Sequence, residues 1–172
     1  MRVVAAPDKF RGTASAAEAA SAIARAVVSR GGTAVEVPMA DGGEGLVDVL
    51  GGPDHTTEVT GPLGSPVRAG WRLSDGTAVV EMARASGLVL AGGAEGNRPL
   101  DATTAGVGEL LRHAVELGAR RVIVGMGGSA TTDGGLGALD AMGPMARYRG
   151  VEMLVACDVR TRFTKAAEVF AP

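Results

Sequence analysis

The first fifty residues alternate between strand-like and helix-like spacing of apolar side chains. Residues 2–6 show a short buried-strand pattern, and residues 33–37 show a second one that Pro38 closes. Between them, apolar positions recur every three or four residues, which predicts a helix that ends near Gly31. A second helix is expected over residues 42–50. The first helix is defined by the capping-box pair Ser15 and Glu18 and by Ala16, Ala20, Ile23 and Val27.

The pattern changes in the middle of the chain. Residues 56–82 hold short β-like runs broken by turn signals such as Gly61-Pro62, which predicts an antiparallel meander. A glycine-rich loop over residues 91–101 leads to a helix that begins near Thr104 and stops at Gly118. A strand, a helix and a strand are then predicted at residues 122–124, 136–142 and 152–156.

This order of elements predicts an α/β fold. The expected architecture is a Rossmann-like or flavodoxin-like parallel sheet with a small subdomain of mixed or antiparallel strands. Residues 1–54 and 119–172 are assigned to the parallel α/β domain, and residues 55–118 to the smaller α/β subdomain inserted into it.

The composition narrows the classes of function. With 46% hydrophobic and 21% charged residues among 172, the chain has a globular balance. A net charge of −2 and a pI near 5.7 argue against a nucleic-acid partner. The single cysteine, Cys157, excludes an internal disulfide framework and a thiolate zinc site. No apolar run suits a membrane span and the N-terminus does not resemble a signal peptide, so a cytoplasmic protein is expected.

The most informative corner follows the predicted strand at residues 122–124. Three glycines, Gly125, Gly127 and Gly128, precede a run of polar side chains, namely Ser129, Thr131, Thr132 and Asp133. Small residues let a ligand approach the backbone, N–H groups that open a helix favour an anion, and these side-chain oxygens suit Mg²⁺. A helix cap would account for Asp133 alone. Four polar residues beside paired glycines favour a phosphate or nucleotide site.

A second cluster follows the first strand, at the sheet edge where open α/β folds build their sites. Lys9 and Arg11 would neutralise phosphate charge, and Asp8 would hold a cation or take a proton. A solvated loop that leads into a helix cap explains the same residues slightly better.

A third cluster follows the second strand. Asp41 and Glu44 flank Gly42 and Gly43, an arrangement that suits metal or hydroxyl contacts. A tight turn capped by Asp41 is an equal alternative. Ser86 marks a further small-residue corner, for which a helix or strand terminus is the simpler explanation.

A dinucleotide-binding oxidoreductase is a rival hypothesis. Gly125, Gly127 and Ala130 match the loose G-x-G-x-x-A fingerprint, but Asp158 comes late for the expected acidic residue. The chain contains neither a Walker A loop nor a G-x-S-x-G nucleophile elbow.

Five segments carry these glycines and polar residues in a fixed order: residues 6–12, 39–45, 60–64, 81–88 and 127–135. Together they resemble the type I glycerate kinases across nearly the whole chain. The resemblance implies ATP-dependent phosphorylation of D-glycerate, with the 2-hydroxyl favoured, and the use of Mg²⁺. It also implies a two-domain α/β structure with the site in the cleft between the domains.

The resemblance implies that residues of the three clusters take part in phosphoryl transfer. Lys9 and Arg11 would meet the charge of phosphate or of the glycerate carboxylate, with Asp8 beside them. Asp41 and Asp133 are both candidates for hydroxyl activation and for Mg²⁺ contact. Substrate and phosphate binding is expected at Gly42, Gly43, Glu44, Ser86, Gly127, Gly128, Ser129, Thr131 and Thr132.

The chain departs from the family at a few points. Arg11 stands where Lys is frequent and Thr132 where Asn is frequent, and Arg and Lys are not equivalent phosphate ligands. Family members are longer, so this chain looks like their N-terminal part. A catalytically silent fragment is therefore a second rival hypothesis. Uncovered apolar surface in such a fragment would favour self-association, so a homo-oligomer is one of the expected states.

Overall fold

The computed structural model describes residues 1–10 and 13–170, and within them it has one two-stranded and one five-stranded sheet. The strands are β1 (Arg2–Ala5), β2 (Thr33–Glu36), β3 (His55–Thr60), β4 (Pro66–Ser74), β5 (Thr77–Glu81), β6 (Arg121–Gly125) and β7 (Glu152–Ala156). The α-helices are α1 (Ala16–Val28), α2 (Leu46–Val49), α3 (Ala83–Ser86), α4 (Gly93–Gly96), α5 (Ala105–Glu116), α6 (Leu136–Met142) and α7 (Ala166–Phe170). Short 3₁₀ turns cover Met145–Tyr148 and Phe163–Lys165.

The first strand–helix–strand unit is confirmed, but the predicted burial of its first strand is wrong, because Val4 is 62% exposed. β1 and β2 are parallel, and the Ser15 hydroxyl accepts from the backbone N–H of Glu18 while the Glu18 carboxylate accepts from that of Ser15. The predicted buried stripe is wrong at one position, because Ile23 is 40% exposed. The side chains that α1 buries are Ala16, Ala20, Ala24 and Val27. Three of the four are alanines, which let a helix approach a small sheet closely.

The five-stranded sheet has the order β3-β4-β5-β6-β7. β3, β4 and β5 form the predicted antiparallel meander, and β5, β6 and β7 pair in parallel. β5 is the joint, because Val79 pairs with Arg72 on one side and with Ile123 on the other. The α/β fold class is thereby confirmed. The assignment of residues 55–118 to a separate subdomain stays a prediction, and its strands share a sheet with β6 and β7.

The main core lies between this sheet and α5. Trp71, Val80, Leu110 and Val122 are each 0% exposed. The Trp71 indole donates to the Thr57 hydroxyl at 2.9 Å, so its one polar atom has a partner inside the fold. Within the described residues, no helix is both long and apolar enough to cross a bilayer.

The second predicted helix begins later than residue 42. Gly42 and Gly45 have φ angles of +91° and +97°, which belong to a turn and not to a helix, so α2 starts at Leu46. Residues 41–45 therefore form a loop at the end of β2. This loop lies against the end of β6, since the Gly127 N–H donates to the Gly42 carbonyl at 3.1 Å.

Candidate active site

The loops after β1 and β2 bring one ammonium between two carboxylates. Lys9 Nζ donates to Asp41 Oδ1 at 3.1 Å and lies 3.6 Å from Asp8 Oδ2. Asp8 Oδ1 accepts from the Lys9 backbone N–H at 2.6 Å. The Lys9 side chain is only 16% exposed, whereas that of Asp41 is 33% exposed. The structure thus brings three of the predicted residues into one charged cluster.

These contacts keep both partners charged. Burial acts to lower the pKa of Lys9, but hydrogen bonding and attraction to Asp41 and Asp8 outweigh it and raise that pKa. The pKa of Asp41 is lowered chiefly by the Gly43 N–H, which donates to Oδ1 at 2.8 Å; burial opposes this shift, and Lys9 reinforces it. At neutral pH the site therefore offers a fixed cation and an ionised carboxylate.

Glycines after β2 and β6 let the two loops pack backbone to backbone. A Cβ at Gly127 would lie 2.5 Å from the Gly43 Cα, and one at Gly125 would lie 2.8 Å from the Gly42 carbonyl oxygen. The sequence pattern suggests that these glycines let a ligand approach, whereas in the structure Gly125 and Gly127 allow backbone contact with Gly42 and Gly43. Gly128, in contrast, is exposed with φ +74°.

Asp133 is fully engaged by donors from its own fold. Its Oδ2 accepts from the backbone N–H and the hydroxyl of Thr104, both at 2.8 Å, and from the Gly137 N–H at 3.2 Å. Its Oδ1 accepts from the Gly135 N–H at 2.9 Å and the Thr131 hydroxyl at 3.1 Å. An ionised carboxylate has about four lone-pair sites, so five donors saturate it. The residue fastens the start of α5 to the turn before α6.

The charge of Asp133 is retained in this setting. Burial acts to raise its pKa, but the hydrogen bonds from Thr104, Gly135 and Gly137 outweigh burial and lower it. This is the capping role that sequence reasoning weighed as the alternative to a catalytic one.

The remaining hydroxyls of this loop face different partners. The exposed Ser129 accepts from the Thr131 N–H at 3.1 Å, and Thr132 donates to the Pro99 carbonyl at 2.9 Å.

Ser86 is 0% exposed, and its hydroxyl has no hydrogen-bond partner among the described residues. Its backbone carbonyl accepts from the Ala130 N–H at 2.9 Å.

A groove of 530 Å³ opens beside the charged cluster. Asp8, Lys9 and Glu44 line it together with the start of α1, Pro38-Met39, Gly45, Asp48 and Val49. A second cavity of 240 Å³, next to Thr60 and Glu109, contains none of the predicted site residues. Arg11 lies outside the described residues.

Sequence reasoning gave no role to Glu81, whose contacts reach the elements beside the charged cluster. Its carboxylate is 2% exposed at the end of β5 and accepts from the Val47 N–H at 2.6 Å and from Arg84 Nε at 3.0 Å. The sequence does contain a signal for it, an acidic residue that directly follows the mostly apolar residues 77–80 of a strand. A carboxylate buried at such a position requires polar partners from elsewhere in the fold.

The residues present fit a Mg²⁺ ion only if another molecule, such as a phosphate-bearing substrate, supplies the remaining ligands. Within residues 1–10 and 13–170, no group of three or more His, Cys, Asp or Glu side chains is arranged to hold a metal ion. Asp41 and Asp8 approach the same ammonium, and protein sites for Mg²⁺ commonly supply one or two carboxylates while substrate phosphates supply the rest. That donor set matches a nucleotide-borne Mg²⁺.

Polar loops at the carboxyl ends of parallel strands, with a charged cluster beside a groove, define an α/β protein built like a small-molecule enzyme. The chain belongs to the glycerate kinase family, whose sequence model matches residues 3–148. This match confirms the resemblance that the five sequence segments carry.

Individual relatives support the same family assignment. The chain is 42% identical to a glycerate kinase of Bacillus subtilis, covering 100% of this chain and 55% of the relative. It is 46% identical to the glycerate 2-kinase of Escherichia coli, covering 83% of this chain and 39% of the relative. A crystal structure of a protein assigned as glycerate kinase 2 from Salmonella typhimurium LT2 matches with a TM-score of 0.68 and 42% identity, over 83% of this chain and 41% of that one. The chain thus spans about half or less of the length of these relatives.

Proposed function

We propose that this chain carries phosphoryl-transfer residues of an ATP-dependent D-glycerate kinase that forms 2-phosphoglycerate. The observation that carries the proposal is the Lys9–Asp41 pair beside the 530 Å³ groove, in a chain of the glycerate kinase family. The name of the Escherichia coli relative, a glycerate 2-kinase, favours the 2-hydroxyl as the acceptor. A cytoplasmic location belongs to the same proposal.

The charged cluster suits both reactants. Lys9 would neutralise either the glycerate carboxylate or a transferring phosphate, and its low exposure strengthens that attraction by excluding water. Asp41 receives Lys9 and Gly43 on Oδ1, and in this proposal Oδ2 would accept the proton of the substrate hydroxyl or contact Mg²⁺. Because its pKa is lowered, Asp41 suits orientation of the hydroxyl better than strong general-base catalysis.

The loop after β6 would receive phosphate. Gly128 and Ser129 are exposed at its corner, and Thr131 supports the Ser129 hydroxyl through its N–H. Asp41, with Asp8 nearby, would hold Mg²⁺, whose chemistry here would be to supply positive charge against the phosphates. We assign Asp133 to holding this loop in place, instead of the hydroxyl-activating or metal-binding role that the sequence suggested, because its carboxylate is saturated.

The proposal is tested with the purified chain, Mg-ATP and D-glycerate. ADP release that depends on D-glycerate, with a ³¹P NMR signal of 2-phosphoglycerate, is the expected result. A product phosphorylated at the 3-hydroxyl would contradict the regiochemistry alone. Mg²⁺-independent reduction of NAD or NADP with an organic acid would favour the oxidoreductase, which Gly127 supports poorly because its N–H is bonded to the Gly42 carbonyl.

A further inference from the structure

Glu81 is a buried carboxylate that no role described so far requires. It ends β5 with 2% of its surface exposed. Arg84 Nε pairs with Oε2 at 3.0 Å, and Arg84 Nη2 also reaches Asp48 Oδ2 at 2.7 Å. Burial acts to lower the pKa of Arg84, but Glu81 and Asp48 raise it, so the ion pair persists. A carboxylate removed from water in this way is tolerated only with such partners.

The other oxygen of Glu81 caps a helix that cannot cap itself. Oε1 accepts from the Val47 N–H at 2.6 Å, in the first turn of α2. The residue at the N-cap position is Gly45, which has no side chain to bond those N–H groups. The cap therefore comes from another strand, 34 residues away along the chain.

The loop held by this cap is the one that carries Asp41. Gly42 and Gly43 lie between Asp41 and the start of α2, and the Gly43 N–H is the donor to Asp41 Oδ1. The end of β5 is also tied to the end of β6, because the Met82 N–H donates to the Gly125 carbonyl at 2.9 Å. Glu81 thus fixes the loop after β2 at the level where β5 and β6 end.

We propose that Glu81 is a positioning residue, which acts on the reaction by holding the Asp41–Gly43 loop through the N–H of Val47. The relevance of this loop to turnover rests on the proposed kinase function. The positioning itself is a property of the fold and is tested separately.

The test compares three variants of the full chain. Glu81→Ala removes the cap, whereas Glu81→Gln keeps a side-chain oxygen for the Val47 N–H. Glu109→Ala is the matched control: the Glu109 carboxylate likewise accepts from a backbone N–H, that of Thr60 at 2.8 Å, and from the Thr60 hydroxyl at 2.7 Å, at the other cavity. The readouts are amide hydrogen exchange at Gly43 and Val47, thermal unfolding, and steady-state kinetics with D-glycerate and Mg-ATP.

In Glu81→Ala, exchange at Gly43 and Val47 is expected to quicken about tenfold relative to amides in α5, as the loss of one charge-assisted hydrogen bond predicts. Its kcat is expected to fall about tenfold while KM for Mg-ATP stays within about threefold, because catalytic geometry is lost and not nucleotide affinity. Glu81→Gln should restore both readouts to a large extent. Glu109→Ala should lower the unfolding temperature without changing kcat.

Unchanged exchange at Gly43 and Val47 in Glu81→Ala would overturn the proposal, as would a loosened loop with wild-type kcat. Equal losses of kcat in Glu81→Ala and Glu109→Ala would assign Glu81 to stability alone and overturn it too. If the wild-type chain has no kinase activity, the proposed function fails for this chain. The exchange data still decide in that case whether Glu81 holds the loop.

Discussion

Among single side chains, Lys9 and Asp41 carry the charges on which the proposed function depends. The Lys9 side chain is partly buried and lies between two carboxylates, and the pKa values of Lys9 and Asp41 are shifted so that both side chains stay charged. Holding a cation in place before the substrate arrives lowers the reorganisation that phosphoryl transfer requires. The same charges also give the groove its polarity, since Lys9 lines it.

Lys9→Met should lower kcat/KM for D-glycerate by about 100-fold, the scale expected when a preorganised charge is removed from a reacting site. The chain offers a control in Lys165→Met, because Lys165 is 61% exposed and pairs with Glu168 on the surface. That variant should stay within about twofold of wild type. Equal losses in the two lysine variants would remove Lys9 from the site.

Asp133→Asn should lower the free energy of unfolding by about 1–3 kcal/mol, because a charge-assisted cap of α5 and of the turn before α6 is weakened. Denaturant unfolding at pH 7 measures it, with Asp140→Asn, an exposed position on α6, as the control. A loss of turnover with unchanged stability would instead restore Asp133 as a catalytic residue.

The pH dependence of Asp133 has a defined sign. Its folded pKa is lowered, so the carboxylate contributes stability that is fully present above its unfolded pKa and is lost as the pH falls through the folded pKa. Below about pH 4, wild type should therefore lose stability more steeply than Asp133→Asn. Parallel stability curves for the two proteins in acid would contradict this assignment.

The loops after β2 and β6 act as one unit. Their backbones are in contact where Gly127 faces Gly43, and the donors from that region order Asp41. Glycine is needed here because the neighbouring atoms belong to backbone, which does not move aside as a flexible side chain does. The two loops thus order Asp41 together, and β5 contacts the segments beside them through Glu81 and Met82.

Gly127→Ala should disturb this unit, because the new Cβ would lie 2.5 Å from the Gly43 Cα. A loss of about 1–3 kcal/mol in unfolding free energy is expected from such overpacking, together with reduced glycerate-dependent turnover. Amide chemical shifts of residues 41–45 provide the direct check. Unperturbed shifts there would show that the two loops are not packed as described.

The sequence predicted the elements and the clusters better than it predicted the contacts among them. The capping box of α1 and the meander follow from local patterns and are confirmed, whereas the functional roles of Lys9 and Asp41 stay predictions. The link from Glu81 to Val47 joins residues on separate elements, so no local period contains it. Asp133 looked catalytic because two of its five donors, the N–H and the hydroxyl of Thr104, lie 29 residues away and are brought to it only by the fold.

The chain as a whole exposes apolar side chains on the edge strand β7. Leu154 is 42% exposed and Val155 is 64% exposed, and an uncovered strand edge of this kind favours association. Val155→Lys should therefore reduce self-association at micromolar concentration, as measured by light scattering after gel filtration. Leu100→Lys, at a position 91% exposed outside the sheet, should have little effect. The same association state in both variants and wild type would show that β7 is not the associating edge.

All of this chain matches the Bacillus subtilis glycerate kinase, but it spans only 55% of that protein. A direct assay therefore tests whether these residues are sufficient for activity. The most direct measurement is ADP release from Mg-ATP by the purified chain, with and without D-glycerate. The expected result is release that requires D-glycerate and that Lys9→Met slows by about 100-fold. Release that is absent, or that is the same without D-glycerate, would contradict the claim that these residues form a working glycerate kinase site in this chain.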